Sequence, residues 1–141
     1  MAVIVDTGPL FALADEADHN HQVVKKYMTQ HRGTWIVPAP VVTETSIFIL
    51  DRLGATAELC FLRALHAKEM LVESMMAADL SRVVEILEQY RDVEFGMVDA
   101  ATMAIAERLR IETILTLDHR DFGIYRPKHC TAFRLVPERI R

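Results

Sequence analysis

The chain is poor in the features that staple, anchor or tether a protein. It has two cysteines in 141 residues, and Cys60 and Cys130 stand far apart with no CxxC pair. That excludes a disulfide framework and a cysteine zinc site, and makes a reducing, cytoplasmic setting the expectation. No uninterrupted apolar run approaches the ~20 residues that span a bilayer. The start, MAVIVDTG, meets an acid at position 6 and has no charged lead or long apolar stretch, so it does not read as a signal peptide. No repeat, low-complexity tract or Gly/Ser linker divides the chain, and residues 1–141 are expected to form one domain.

What is present is apolar and slightly acidic. Hydrophobic residues make up 51% and charged ones 26%, which suits a folded globular protein rather than a disordered one. The apolar surplus fits a dense core, and equally a surface for self-association. The net charge of −4 argues against a general nucleic-acid coat. Its distribution is uneven. Residues 119–141 carry Arg120, Arg126, Lys128, Arg134, Arg139 and Arg141 against Asp121 and Glu138, a balance of +4, so the rest sums to −8. This fits a basic rim beside an acidic centre, or simply a solvated basic tail.

Short apolar runs alternate with amphipathic stretches, the pattern of βα units on a parallel sheet. Strands are expected at 2–5, 34–37, 70–73, 113–117 and 131–136. Helices are expected after Thr7-Gly8-Pro9, from near Asp18 to Gly33, and over 41–52, 56–67, 79–90 and 97–109. The helix at 79–90 shows the clearest periodicity, through Leu80, Val83, Val84, Leu87 and Tyr90. About five strands and six helices predict an α/β fold, a three-layer α/β/α sandwich around a parallel sheet.

In such a sheet, ligands gather beyond the carboxyl ends of the strands, where the helices also begin. Asp6 follows the first strand and Asp118 the fourth. Glu44 falls near the start of the helix after the second strand, and Asp99 in the first turn of the helix before the fourth. Strand and helix direction alone therefore predict that all four share one edge. Each has a mundane explanation: Asp6 and Asp99 suit helix starts, Asp118 suits a turn, and Glu44 suits a solvated helix. Together they are harder to dismiss. Carboxylates held within ~6 Å raise one another's pKa, and such a cluster is tolerable only if protons or cations enter. Hard oxygen ligands suit Mg²⁺ or Mn²⁺. The six histidines match no zinc spacing, and His119 alone stands beside an acid of the set. Trp35 and Phe95 could stack bases, although a strand tryptophan such as Trp35 is more often core.

VDTGPLFAL, VVTETSIFIL, FGMVDAATMAIAERL and TILTLDHRDF, in that order, resemble the four acidic motifs of the PIN-domain family. The likeness runs from position 3 to about 136, and the size is similar to that of stand-alone VapC toxins of type II toxin–antitoxin modules. The resemblance implies a Mg²⁺- or Mn²⁺-dependent endoribonuclease, acting on RNA such as tRNA or rRNA, often homodimeric and held by a small antitoxin. It implies catalytic roles for Asp6, Glu44, Asp99 and Asp118, with Asp6, Asp99 and Asp118 as metal ligands and Thr7 and Asp121 in support. Arg120, Arg126 and Lys128 are the expected RNA contacts. The apolar residues Ile47, Phe48, Leu59, Phe61 and Leu62 are candidates for a dimer face or antitoxin groove.

Other readings fit less well. An aspartyl-nucleophile phosphatase wants DxD after the first strand, and here Thr7-Gly8 follows Asp6. A receiver domain wants an Asp on the third strand, which here ends in Glu73. A non-catalytic RNA-binding or interaction module on the same fold remains, and four intact acids argue against it.

Overall fold

The computed structural model describes residues 1–138. Arg139 and Arg141, counted in the basic tail, lie outside the described residues. The elements in chain order are β1 (Ala2–Val5), α1 (Thr7–Ala14), α2 (His21–Gln30), β2 (Thr34–Pro38), α3 (Ala39–Leu53), α4 (Ala55–His66), β3 (Leu71–Glu73), α5 (Ala77–Gln89), α6 (Met97–Leu109), β4 (Thr113–Leu115), α7 (His119–Ile124) and β5 (Arg134–Val136), with one 3₁₀ turn at Arg91–Val93. The five strands pair in the order β3-β2-β1-β4-β5, and every pairing is parallel.

Alternation along the strands builds two cores. Ile4 and Ile114 point into one, with Val83, Ile86, Ala101, Met103 and Ile105 of α5 and α6. Val3, Val5 and Leu115 point into the other, with Leu10, Val41, Ile49 and Phe61 of α1, α3 and α4. A central strand buried on both faces must be apolar throughout, which is why residues 2–5 read as an unbroken run. Helices on both faces give the expected three layers. Among the described residues, no helix is long and apolar enough to cross a membrane.

The differences from expectation have local causes. The second helix starts at His21 rather than near Asp18, because the carboxylates of Asp15 and Asp18 accept the N–H groups of Ala17 and Asn20 and fold that stretch into turns. Gly33 does not end that helix, which stops at Gln30. It serves the start of β2 instead: a Cβ there would lie 2.6 Å from the Met1 carbonyl oxygen, which accepts the Thr34 N–H at 2.9 Å. The fourth strand ends at Leu115, two residues early, and a short seventh helix follows. The last strand begins at Arg134, not at 131. On α5 only part of the periodic face is inward. Val83 and Ile86 are buried, while Met76, Leu80 and Val84, four residues apart, remain exposed. By contrast, residues 100–106 of α6 are all buried; four alanines in that stretch let the sheet and α5 approach closely.

Candidate active site

The chain's direction does most of the assembly. β1 delivers Asp6 to the carboxyl edge of the sheet, where its N–H donates to the Leu115 carbonyl of β4 at 2.9 Å. The next residue opens α1, so Asp6 stands at the N-cap position, yet its carboxylate makes no cap bond. Glu44 lies in the second turn of α3, Asp99 is the third residue of α6, and Asp118 caps α7. Asp6, Thr7, Glu44, Asp99 and Asp118 all line one solvent-open cleft of about 550 Å³, together with Asp18, Phe11, Phe48 and Arg52. The four acids picked from the sequence therefore meet. Asp121 joins them: one oxygen each of Asp99, Asp118 and Asp121 fall within 4.8 Å of one another.

One residue outside the expected set ties this group together. The fully buried Thr116 donates its hydroxyl to Asp6 Oδ2 at 2.9 Å and accepts the Asp118 N–H at 2.9 Å. Its N–H is still held by the Val136 carbonyl, so the ladder with β5 ends here as the side chain turns the chain toward α7. Asp118 Oδ1 then accepts the Asp121 N–H at 3.0 Å, which opens the helix. The TxD spacing in TILTLDHRDF was the signal for Thr116. Helix α7 itself is too short for periodicity to reveal.

The charges are poorly compensated. Burial pushes the Asp6 carboxyl up to about 6 against the opposing bonds from the Thr7 N–H and the Thr116 hydroxyl, and Glu44 and Asp118 add repulsion. Burial likewise raises Asp99, to about 7, with repulsion from Asp6, Asp118, Asp121 and Glu44 behind it. Asp121 is also raised, by burial and by Asp118. The Thr7 hydroxyl is buried with no hydrogen-bond partner among the described residues, a position that normally holds water or a ligand. An all-oxygen donor set, carboxylates that resist ionisation together and an unanswered hydroxyl fit a divalent cation such as Mg²⁺ or Mn²⁺.

The expected basic contacts are placed differently. Arg120 donates to Asp121 Oδ1 at 2.9 Å, beside the cluster. Arg126 donates to the Gly123 carbonyl, and the Lys128 ammonium lies 3.8 Å from Glu85; neither lines the cleft. His119 bonds the Thr116 carbonyl through Nε2 at 3.1 Å. Trp35 packs edge-on against Tyr27, as expected of a strand tryptophan, and Phe95 is buried in the core rather than free to stack a base.

A parallel sheet with a carboxylate pocket at its carboxyl edge is the arrangement expected of a PIN-type nuclease, and the comparisons show that family. The PIN domain model matches residues 3–126. Ribonuclease VapC26 of Mycobacterium tuberculosis is 33% identical over 135 residues, covering 96% of this chain and the whole of that protein. Among solved structures, VapC20 of Mycobacterium tuberculosis, a toxin that cleaves the sarcin–ricin loop, superposes with a TM-score of 0.79 at 21% identity, over 84% of this chain and 91% of that one. VapBC2 of Rickettsia felis, bound to promoter DNA, gives 0.69 at 14% identity, over 96% and 97%; at these identities the structures speak for the fold. The chain belongs to the PIN-domain family. Within it, the chain stands with the VapC ribonucleases.

Proposed function

We propose that the protein, acting as one domain, is the toxin of a toxin–antitoxin pair and hydrolyses RNA phosphodiester bonds with Mg²⁺ or Mn²⁺. The observation that carries this is the gathering of Asp6, Glu44, Asp99, Asp118 and Asp121 around one open cleft, with Asp6 and Asp99 both raised in pKa. Asp99, Asp118 and Asp121 offer the most compact ligand group, and Asp6 stands beside them to complete the coordination. A divalent cation held there supplies positive charge that acidifies water, polarises the phosphate and offsets the charge that builds during displacement. Glu44, across the cleft on α3, orients the attacking water and accepts its proton on a carboxylate oxygen. The Thr7 hydroxyl, with no partner among the described residues, is available to a water or a phosphate oxygen. Thr116 acts through Asp6 and Asp118, holding one carboxylate and one backbone against each other. Attack by water leaves a 5′-phosphate and a 3′-hydroxyl.

A protein partner and self-association are supported by surface. Ile47, Phe48, Leu59, Leu62, Leu80 and Val84 are exposed, whereas Phe61 is buried. Exposed apolar side chains on α3 and α4 suit an antitoxin and a homodimer. Structured RNA such as tRNA or rRNA is the substrate class, and the cytoplasm the compartment. The test is to incubate total RNA with purified protein, with and without Mg²⁺ or Mn²⁺, and to map the new 5′ ends. Metal-dependent cuts at defined positions bearing 5′-phosphates are expected. Absence of cleavage with either metal would leave the binding-module reading in its place.

A further inference from the structure

The acidic cleft has to admit a polyanion, and of the cations expected to help, Arg126 and Lys128 lie elsewhere and Arg120 is paired with Asp121. Among the described residues that line it, Arg52 is the one cation. It lies on the last turn of α3, where a positive charge suits the helix dipole. Glu44, Phe48 and Arg52 are spaced four apart, so one stripe of α3 runs along the cleft from the acids to the guanidinium, over roughly 12 Å of helix.

Arg52 is held in an unusual way for a cation beside so many carboxylates. Its guanidinium carbon lies 5.4 Å from the centre of the Phe11 ring and 5.5 Å from that of Phe48. No hydrogen bond or ion pair joins it to the described residues. Arg82, Arg108 and Arg120, by comparison, each pair with a carboxylate. Two rings thus orient a flat fork of donors through cation–π contact and leave those donors unspent. Phe48 is 39% exposed and Phe11 partly so, which leaves aromatic surface beside the fork.

We infer that Arg52, gripped between Phe11 and Phe48 at the far end of the acidic cleft, binds a phosphate of the RNA strand next along from the phosphodiester being cut. A bidentate guanidinium–phosphate pair fits the fork, and the exposed ring faces suit an unstacked base. The contact draws the strand into a cleft that otherwise repels it, and sets which bond reaches the acids. The inference rests on the ribonuclease reading above.

The test measures binding and cutting separately. A labelled single-stranded RNA oligonucleotide is titrated against the Asp99→Asn protein, which leaves the RNA intact, across a range of salt concentrations. Adding Arg52→Gln is expected to weaken binding about tenfold and to reduce the salt slope by about 0.7, the value of one phosphate contact on a single strand. Arg52→Lys is expected to restore the slope but only part of the affinity. Arg110→Gln, the same charge change just before β4 at the opposite edge of the sheet, is expected to alter neither. In the active protein, Arg52→Gln acts on KM more than on kcat. Unchanged affinity and slope in a folded Arg52→Gln protein overturn the inference, as does unchanged RNA binding with lost inhibition by a protein partner, which would make Arg52 a protein contact. If Arg52→Gln does not fold, an Arg52→Lys protein with the background's full affinity overturns it equally. Failure of the wild type to cut RNA and of the Asp99→Asn background to bind it sinks the ribonuclease reading itself; failure at Arg52 alone leaves metal-dependent cutting intact.

Discussion

Helix α6 carries a carboxylate near each end, and the two live in opposite electrostatic surroundings. Glu107, near the C-terminal end, receives Arg82 Nε at 2.7 Å, the Tyr125 hydroxyl at 2.7 Å and the Lys128 N–H at 2.8 Å. Burial pushes its carboxyl up, but these donors outweigh it and hold it below the usual glutamate value. The Glu107 carboxylate in turn raises the Arg82 guanidinium, and burial, with Glu107 behind it, raises the Tyr125 phenol. Close by, Asp79 accepts from Arg108 and from the Met76 N–H. Asp99, near the N-terminal end, faces Asp6, Asp118, Asp121 and Glu44 instead and is raised to about 7. The first cluster is complete as it stands and locks α5, α6 and the chain after α7 together. The second is incomplete without a positive charge from outside. A carboxylate satisfied by its own chain is structural; a set left unsatisfied at a cleft is a candidate binding site.

That contrast can be broken or sharpened by substitution. The largest effect belongs to Asp99→Asn, which removes a ligand oxygen's charge at constant shape. RNA cleavage in Mg²⁺ should fall by roughly a thousandfold, while Glu107→Gln should cut at the wild-type rate per folded molecule. Equal loss in both variants would erase the distinction. For stability the order reverses. Glu107→Gln removes the closer and more buried of the two carboxylates paired with Arg82, leaving Glu85, and should lower the unfolding free energy by about 2 kcal/mol in urea titration.

Thr116→Val is smaller and touches only the incomplete cluster. It strands the Asp118 N–H and frees the Asp6 carboxylate, so about 1 kcal/mol of stability and roughly tenfold of activity should go. Thr116→Ser should recover most of both. Wild-type activity in the valine variant would remove Thr116 from the positioning role.

The smallest effect is in pH, and its sign separates the clusters. In the metal-free protein the folded state holds protons on Asp6 and Asp99 that the unfolded chain, with an ordinary value of 3.8, has released. Stability from this cluster therefore falls as pH rises from about 4 to about 7. Glu107 works the other way: its contribution is present above the unfolded value of 4.5 and is lost as pH falls through the folded value. Melting curves in chelator should show Asp99→Asn gaining on the wild type by ~1 kcal/mol at pH 8, after allowance for solvent screening, and by less toward pH 5. A gain that grows on acidification would refute the assignment.

Much of this was legible in the sequence because it depends on direction rather than contact. β1 and β4 are apolar runs that each lead to an acid, and a parallel sheet sends both acids to the same edge. What stayed hidden depends on side chains crossing between distant segments. Thr116 looks like one more strand residue until its hydroxyl is seen between Asp6 and Asp118. Helix α7 spans only six residues and carries a glycine. On α5, Leu80 and Val84 keep helical spacing with Val83, yet α6 covers only one side of that stripe. The basic tail drew attention by charge count, whereas the cation in the cleft is a single arginine at the end of a largely apolar helix.

The central claim is that five acids from four segments make one cation site, and Mn²⁺ titration followed by electron paramagnetic resonance reads it without substrate or turnover. At pH 8 the wild type and Glu107→Gln should both bind Mn²⁺, and Asp99→Asn should bind it far more weakly. Mn²⁺ binding that is undiminished in Asp99→Asn, or absent from the wild type, would contradict the account.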